Sequence, residues 1–234
     1  MISRTFKSIV IAAAILAAST AFAQGKDPNS PWQEEFGISK CNLLTTGRNP
    51  YFVLEPGFQL VLEGGDTKLQ ITVLHETKVV DGVNTRVVEE REWKGGKLYE
   101  VARNYFAVCE QTKDVFYFGE EVDFYENGKV VKHDGTWLAG ASGNRAGLMM
   151  PGNPKSKMKY YQEIAPGIAM DRAEIISLDE TCKTPAGTFT KCMKVKEGSE
   201  IDITASEYKY FAPSIGLIRD ENLRLVKYGF VKDK

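Results

Sequence analysis

Residues 69–82 read LQITVLHETKVVDG, and apolar and polar side chains alternate along them with a period of two. This alternation is typical of a β-strand with one buried face. Asp81-Gly82 follows the strand at once, and this dipeptide between two alternating segments indicates a tight hairpin turn. The return strand is predicted to run from Val83 to Trp93. The stretch therefore predicts an antiparallel hairpin.

The same pattern recurs on both sides of this hairpin. Lys94-Gly95-Gly96 turns the chain into a third strand, from Leu98 to Cys109, and Asn127-Gly128 joins two shorter strands. Further strands are expected at residues 115–118, 122–126, 129–133, 158–164, 172–178, 201–211 and 217–228. The sequence therefore predicts an all-β fold: a large curved antiparallel sheet, or a barrel or half-barrel, built from consecutive hairpins.

Glycine and proline divide the chain into its expected parts. They interrupt the strand pattern from Trp137 to Pro154, so a long loop is expected there. We expect a single all-β domain over residues 49–234, with two lobes that divide near residues 137–155 as the alternative. In the N-terminal segment, residues 24–48, a short helix is predicted to begin at Pro31, because Trp32 and Phe36 stand four residues apart.

The N-terminus has the composition of a secretory signal peptide over residues 1–23. Arg4 and Lys7 precede an apolar run from Ile9 to Ala18, and Ala21-Phe22-Ala23 has the small residues of a cleavage site. The apolar run is shorter than the ~20 residues that span a bilayer. No cysteine stands at the cut to carry a lipid. We therefore expect cleavage near Ala23 and a soluble mature protein in the periplasm or outside the cell.

Four cysteines follow this segment, and an even number in an exported protein indicates disulfide bonds. Cys182 and Cys192 flank Pro185-Ala186-Gly187, the centre of a predicted hairpin that would bring the two thiols together. Cys41 and Cys109 would then pair by elimination, although three connectivities are possible. A metal site is the alternative, but no cysteine pair has C-x-x-C spacing.

The charge of the chain excludes one class of partner. Lys and Arg together number 30, against 31 Asp and Glu. Arg4 and Lys7 are the only charged residues of the signal peptide, so the net charge of the mature chain is −3. Because nucleic-acid binding needs a surplus of basic residues, no nucleic-acid partner is expected.

Motifs for catalysis or metal binding are weak. Residues 140–144, GASGN, fall short of a nucleophile elbow, because Asn144 stands where that turn needs glycine. His133 and Asp134 are adjacent on a strand and therefore point to opposite faces. His75 and His133 have no cysteine or regularly spaced methionine nearby. No cofactor is expected, and two alternatives stay open: an exported hydrolase whose site forms only in the fold, and a copper- or zinc-binding protein.

Aromatic residues are concentrated beside the predicted long loop and in the strands that follow it. Curved antiparallel sheets can hold an apolar ligand in their hollow, with loops as lids. The predicted ligand-binding residues are Trp137, Met149, Met150, Tyr160 and Tyr161. The alternative is that these rings fill the core. The favoured hypothesis is a non-enzymatic exported protein that binds a small apolar ligand or an envelope partner.

Several short segments resemble a family of exported bacterial proteins of uncharacterised function. They are NPYF (49–52), LEPG (54–57), YFGE (117–120), YENGK (125–129), PGNP (151–154), LDET (178–181), YFAP (210–213) and IGL (215–217). Most are turn residues whose glycines and prolines fix the shape of the backbone. The resemblance, which covers residues 49–228, therefore implies a β-rich envelope protein and no particular activity. Phe211 and Ser214 depart from the family, where tyrosine and glycine are expected.

Overall fold

The computed structural model describes residues 32–231, so the predicted signal peptide and its cleavage site lie outside the described residues. A 3-10 helix at Ile38–Lys40 is followed by eighteen strands. They are β1 (Leu43–Leu44), β2 (Gly47–Asn49), β3 (Phe52–Leu54), β4 (Phe58–Gly64), β5 (Thr67–Val80), β6 (Val83–Lys94), β7 (Lys97–Cys109), β8 (Val115–Glu126), β9 (Lys129–Lys132), β10 (Trp137–Leu138), β11 (Arg145–Met150), β12 (Lys159–Tyr161), β13 (Glu163–Ile164), β14 (Asp171–Thr184), β15 (Gly187–Ser199), β16 (Ser206–Ala212), β17 (Gly216–Asp220) and β18 (Leu223–Phe230).

Thirteen of these strands form one antiparallel sheet that curls into a nearly closed barrel. Their order is β12-β14-β15-β16-β17-β18-β4-β5-β6-β7-β8-β11-β13. β1 is added to β7, while β9 and β10 are added to β8, and β2 and β3 form a separate hairpin. Strands from both sides of residues 137–155 belong to the same sheet. The predicted all-β fold with a large curved sheet of consecutive hairpins is confirmed.

A single short segment joins the two ends of the sheet. β12 pairs with β14, β13 pairs with β11, and only Gln162 separates β12 from β13. The Gln162 backbone N–H donates to the carbonyl of Asp171 at 2.8 Å. The opposite strand comes very close, because a Cβ on Gly147 would lie 2.1 Å from the Gln162 carbonyl oxygen. Glycine at this position therefore lets the barrel close.

The predicted hairpin turns at Asp81-Gly82 and Asn127-Gly128 are present. Asp81 and Gly82 have φ angles of 49° and 74°, and Asn127 and Gly128 have 51° and 76°. Positive φ at both central residues is the geometry of a type I′ turn, whose twist matches that of the flanking strands. Gly95 and Gly96 also have positive φ. The turn residues therefore predicted the ends of these strands correctly.

The predicted helix at the N-terminus is absent from its described part, residues 32–36. Residues 34–36 have no regular secondary structure, and Gln33 forms a parallel bridge with Tyr160 of β12. The Gln33 N–H donates to the Lys159 carbonyl, and the Tyr161 N–H donates to the Gln33 carbonyl, both at 2.9 Å. The free side of β12 thus offers backbone partners that a helical segment could not use. Pro31, where the helix was expected to begin, lies outside the described residues.

The predicted long loop also contains regular structure. β10 and β11 lie within residues 137–154 and pair with β8, and β11 pairs with β13 as well. Gly119 of β8 makes the first pairing possible, since a Cβ there would lie 2.3 Å from the Trp137 carbonyl oxygen. In the C-terminal half, the predicted strand at 217–228 is divided into two strands by a turn at Glu221-Asn222. The second of these, β18, pairs with β4, and the sequence pattern did not predict this pairing.

One of the two predicted disulfides is present. Cys41 and Cys109 are bonded, with 5.2 Å between their Cα atoms, and this bond attaches the N-terminal segment to the end of β7. Cys182 and Cys192 are instead free, buried thiols. The hairpin register explains the difference, because Cys182 stands opposite Phe189 while Cys192 stands opposite Glu180. The two cysteines are therefore diagonal and not direct cross-strand partners, and their thiols contact each other through a hydrogen bond without being covalently bonded.

We expect the native protein to show no reactive thiol at pH 7.5 and the unfolded, unreduced protein to show two. Burial raises the pKa of Cys182 and that of Cys192, the latter to about 12, so little thiolate is available to react. Titration with Ellman's reagent, with and without guanidinium chloride, measures both states. A fully reduced sample is the control and should show four thiols. Unfolded protein without free thiols would contradict the arrangement.

The apolar core fills one end of the barrel. The inner face there is made by fully or almost fully buried side chains of several strands, among them Leu62, Val73, Val195, Ile218 and Leu225. Within residues 32–231, the structure contains no helical segment with the length and apolar character that crossing a membrane requires. The other end of the barrel has a different lining.

Candidate functional site

Several strands carry apolar side chains at one end of their inner face and a carboxylate at the other. In β15, Met193 and Val195 are buried and Glu197 follows two residues later; in β17, Ile218 is followed by Asp220. Residues two apart on a strand share a face. The carboxylates therefore collect at the barrel end whose rim includes the turns at residues 65–66, 95–96 and 221–222.

These side chains line a chamber of about 390 Å³ inside the barrel. Eleven carboxylates belong to its wall: Glu90, Glu92, Glu100, Glu120, Glu163, Asp171, Glu197, Asp202, Glu207, Asp220 and Glu221. Among the described residues, only two basic side chains, Lys94 and Lys209, line the same chamber. Rings are present too, from Tyr99, Phe106, Tyr117 and Phe124. The chamber is therefore a polar, strongly acidic space with aromatic walls.

Lys209 of β16 is held by three of these carboxylates. Its Nζ lies 2.8 Å from Glu197, 3.1 Å from Glu207 and 3.9 Å from Asp220. Burial by itself would lower the pKa of Lys209, but the three carboxylates outweigh it and raise the pKa well above its usual range. Gln162, the residue at the closure of the barrel, donates to Glu197 at 3.0 Å. This wall of the chamber thus holds a permanent ammonium group.

Lys94 shows a second way in which the chamber holds an ammonium group. Its Nζ lies 2.7 Å from Glu92 and 3.5 Å from the centre of the Tyr99 ring. A cation over an aromatic face is attracted by the electron-rich face of the ring. The combination of a carboxylate and a ring is therefore already used here to bind a cation.

Other carboxylates of the chamber have no cation of their own. Within residues 32–231, the side chains of Glu90, Glu100 and Glu163 form no hydrogen bond or ion pair with another residue. Glu90 and Glu163 are enclosed by protein, which raises the pKa of both; neighbouring carboxylates also raise the two pKa values, while the charge of Lys209 opposes the shift. Unpaired, enclosed carboxylates facing a cavity are unfavourable when ionised.

Three chamber carboxyls have a pKa near or above neutrality. Burial, followed by the nearby charges of Glu92 and Glu90, raises the pKa of Glu100 to about 7. Burial, followed by the charges of Glu100 and Glu90, raises the pKa of Glu120 to about 8. Burial also raises the pKa of Asp220 to about 7, although Lys209 opposes the shift. Near neutral pH these carboxyls therefore keep protons that ordinary surface carboxyls release.

Of the five predicted ligand-binding residues, the structure places one on the chamber. Met149 lines it. Trp137 is buried in the core with its ring 5.4 Å from that of Tyr117, and Met150 and Tyr160 are almost completely buried. The Tyr161 hydroxyl donates to Glu200, and its ring lies 6.3 Å from that of Trp32. The other four predicted residues do not line the chamber.

The residues considered for catalysis and metal binding are also separated. Ser142 lies in an exposed turn with a φ of 52°. His133 lies with its Nδ1 2.8 Å from Asp123, and the neighbouring Asp134 pairs with Lys132. Within residues 32–231, no three His, Cys, Asp or Glu side chains are arranged to hold a metal ion.

The carboxylates of the chamber were not among the residues predicted from sequence. A signal for them exists, since Val88, Glu90 and Glu92 share one face of β6, and Glu100, Ala102 and Asn104 share one face of β7. In neighbouring strands, one face carries apolar residues followed by carboxylates towards the same end. This shared pattern predicts that one end of the barrel interior is acidic.

Comparison with known proteins does not assign a function. No protein-family model matches the chain, and neither a curated protein nor a solved structure shows significant similarity to it.

Proposed function

We propose that this protein is a non-enzymatic binding protein of the bacterial cell envelope whose ligand is a small organic cation held in the acidic chamber. The observation that carries the proposal is the imbalance of charge in the wall, with eleven carboxylates against two lysines. A cationic ligand would neutralise the carboxylates that have no partner within the described chain. The sequence pattern favoured an apolar ligand; the lining of the chamber favours a charged one.

The chamber suits ammonium groups better than a bare metal ion. The described residues offer no three-ligand group for a metal. Lys94, held between Glu92 and the ring of Tyr99, illustrates how an ammonium group of a ligand would be bound. The remaining acidic positions lie at several points around the wall, which favours a ligand with more than one ammonium group, such as a linear polyamine.

The rim of the chamber adds apolar contacts. Ile168 and Ile201 line the chamber and are 42% and 53% exposed. Exposed isoleucine side chains beside an acidic space would contact the methylene groups of a ligand whose ammonium groups lie deeper. Apolar contacts would therefore contribute to binding at Ile168 and Ile201, which are not among the ligand-binding residues predicted from the sequence.

The proposed location is outside the cytoplasm. The signal-peptide composition of residues 1–23 favours export. The Cys41–Cys109 bond is consistent with it, since structural disulfides persist in oxidising compartments.

Isothermal titration calorimetry with spermidine at pH 8 tests the proposed function. We expect binding by the wild-type protein and at least a tenfold weaker affinity for the variant Glu100→Gln/Glu120→Gln, which keeps the shape of both side chains and removes both ionisable groups. Glu63→Gln is the matched control, because Glu63 is exposed and stands opposite Arg224 and Lys68 on the outer face. It should bind as the wild type does.

Two further probes decide the class of ligand. Decanoate represents an apolar ligand, and Ca²⁺ represents a bare metal ion. If either binds more tightly than spermidine, or if spermidine binds equally well to the double variant, the organic-cation proposal is wrong.

A further inference from the structure

A row of cations and aromatic rings crosses the outer face of the barrel, away from the chamber. Lys194, Tyr210, Arg219 and Arg224 stand directly opposite one another on β15, β16, β17 and β18. Directly opposite residues in antiparallel strands share a face. The residues that alternate with them are buried inside the barrel or line the chamber: Met193, Val195, Lys209, Ile218, Asp220, Leu223 and Leu225. The row therefore lies outside.

The cations of this row have no carboxylate partner in the described chain. Within residues 32–231, Lys194, Arg219 and Arg224 have no Asp or Glu oxygen within 4.0 Å. Lys194 lies 4.2 Å from the ring centre of Tyr208, and the Arg219 guanidinium lies 4.8 Å from that of Tyr210. The rings orient the cations but leave their charge uncompensated.

Arg219 and Arg224 are like charges in direct cross-strand register, an arrangement that destabilises a sheet. Arg224 is fixed in place, since its Nη1 donates to the carbonyls of Glu221 at 2.6 Å and Leu223 at 2.8 Å. Burial, followed by the charge of Arg219, lowers the pKa of Arg224. The two guanidinium groups thus stand side by side without an anion.

Arg219 provides a second observation that points to a ligand. Its Nε is buried and has no hydrogen-bond partner in the structure. A buried donor that stays unpaired costs free energy. Glu63, opposite Arg224 on β4, is the nearest carboxylate in register, yet it forms no ion pair with Arg224. The protein itself therefore does not supply the missing anion.

We propose that Arg219 and Arg224 form a binding site for a phosphate group, beside the ring of Tyr210. Guanidinium groups donate forked hydrogen bonds, and the three terminal oxygens of a phosphate monoester can accept from two such forks at once. A dianion between the two arginines replaces their mutual repulsion by two attractions, and it offers an acceptor to the Nε of Arg219. This site is independent of the acidic chamber and of its ligand.

The phosphate group could belong to a soluble ester or to a lipid headgroup, and two measurements separate these sources. Calorimetric titration with glycerol 3-phosphate at low ionic strength tests the soluble source. Flotation with vesicles that contain phosphatidic acid, whose headgroup is a phosphate monoester, compared with phosphatidylcholine vesicles, tests the lipid source. Binding in either measurement supports the proposal and names the source, provided that the arginine variants lose it.

The variants are Arg219→Gln, Arg224→Gln and the double variant, checked for folding by circular dichroism. Lys227→Gln is the matched control, because Lys227 is an exposed cation on β18 and its replacement removes the same charge. We expect at least tenfold weaker phosphate binding in the double variant and wild-type binding in the control. If neither probe binds, if the double variant binds as the wild type does, or if the control loses as much affinity, the proposal is overturned. Spermidine binding should be unchanged in all four variants.

Discussion

Replacing Cys41 and Cys109 together by alanine is expected to lower the free energy of unfolding by about 4 kcal/mol. The bond joins residues 68 positions apart, so it removes much of the conformational freedom of the unfolded chain. It also attaches the segment before β1 to the end of β7, where Cys109 is completely buried. Without the bond, the N-terminal segment is held by its hydrogen bonds to β12, by the ion pairs of Glu34 and Glu35 with Arg145, and by the packing of Phe36 against Phe116.

Urea unfolding followed by tryptophan fluorescence measures this loss, which corresponds to a decrease in melting temperature of roughly 10 °C in a domain of this size. Reduction of the wild-type protein should reproduce the effect of the double variant. Cys182→Ala is the matched control, since it removes a thiol that is not in a disulfide. Its stability should respond to reductant as strongly as that of the wild type. A loss below about 1 kcal/mol in the double variant would show that the bond contributes little.

The fold was predictable wherever the decisive interactions were local. Asp81-Gly82 and Asn127-Gly128 determine their hairpins through residues that are adjacent in the chain. The pairing of β18 with β4 was not predictable in this way, because it joins residues from opposite ends of the domain. The extended backbone at Gln33 likewise depends on β12, which a local helical pattern does not include. Tertiary partners decided these elements, and periodicity alone does not reveal them.

The candidate site was harder to predict because period-two patterns assign polar residues to solvent by default. In β6, residues 88–92 read VEERE, so charged residues occupy both faces and the inner one cannot be recognised within this strand. Trp137 and Tyr160 were conspicuous by their rings, yet neighbouring strands bury both. The inner carboxylates become recognisable only when several strands are compared, as for Glu90 and Glu197.

Raising the pH from 5 to 8.5 is expected to destabilise the ligand-free protein by on the order of 6 kcal/mol, since each unit of pKa shift corresponds to about 1.4 kcal/mol and two carboxyls contribute. The folded protein holds protons on Glu100 and Glu120, whose pKa values are about 7 and about 8. The unfolded chain releases them near pH 4.5, the usual value for glutamate. Because the folded state binds more protons between these values, the free energy of unfolding falls as the pH rises. The stabilisation of the folded state by these two protonated carboxyls is complete below pH 4.5, and it is lost as the pH rises through 7 to 8.

Glu120→Gln isolates the contribution of one group. Glutamine resembles the protonated carboxyl in shape and does not titrate, so the variant should equal the wild type at pH 5 and exceed its stability at pH 8.5 by at least about 1 kcal/mol. Urea unfolding at pH 5, 6, 7 and 8.5 provides the comparison. Glu63→Gln on the outer face is the control and should keep the pH dependence of the wild type. Stability that rises with pH in the wild type would contradict the arrangement of the chamber.

The same protons connect stability to the proposed ligand. A cation in the chamber favours the ionised carboxylates, so its binding should release protons and strengthen as the pH rises. The protein is thus expected to be least stable without ligand under the conditions in which it binds ligand best. Spermidine at pH 8.5 should therefore raise the wild-type melting temperature more than at pH 5, and Glu120→Gln should reduce that difference. An equal rise in melting temperature at both pH values would show that spermidine binding does not depend on these carboxyls and occurs elsewhere on the protein.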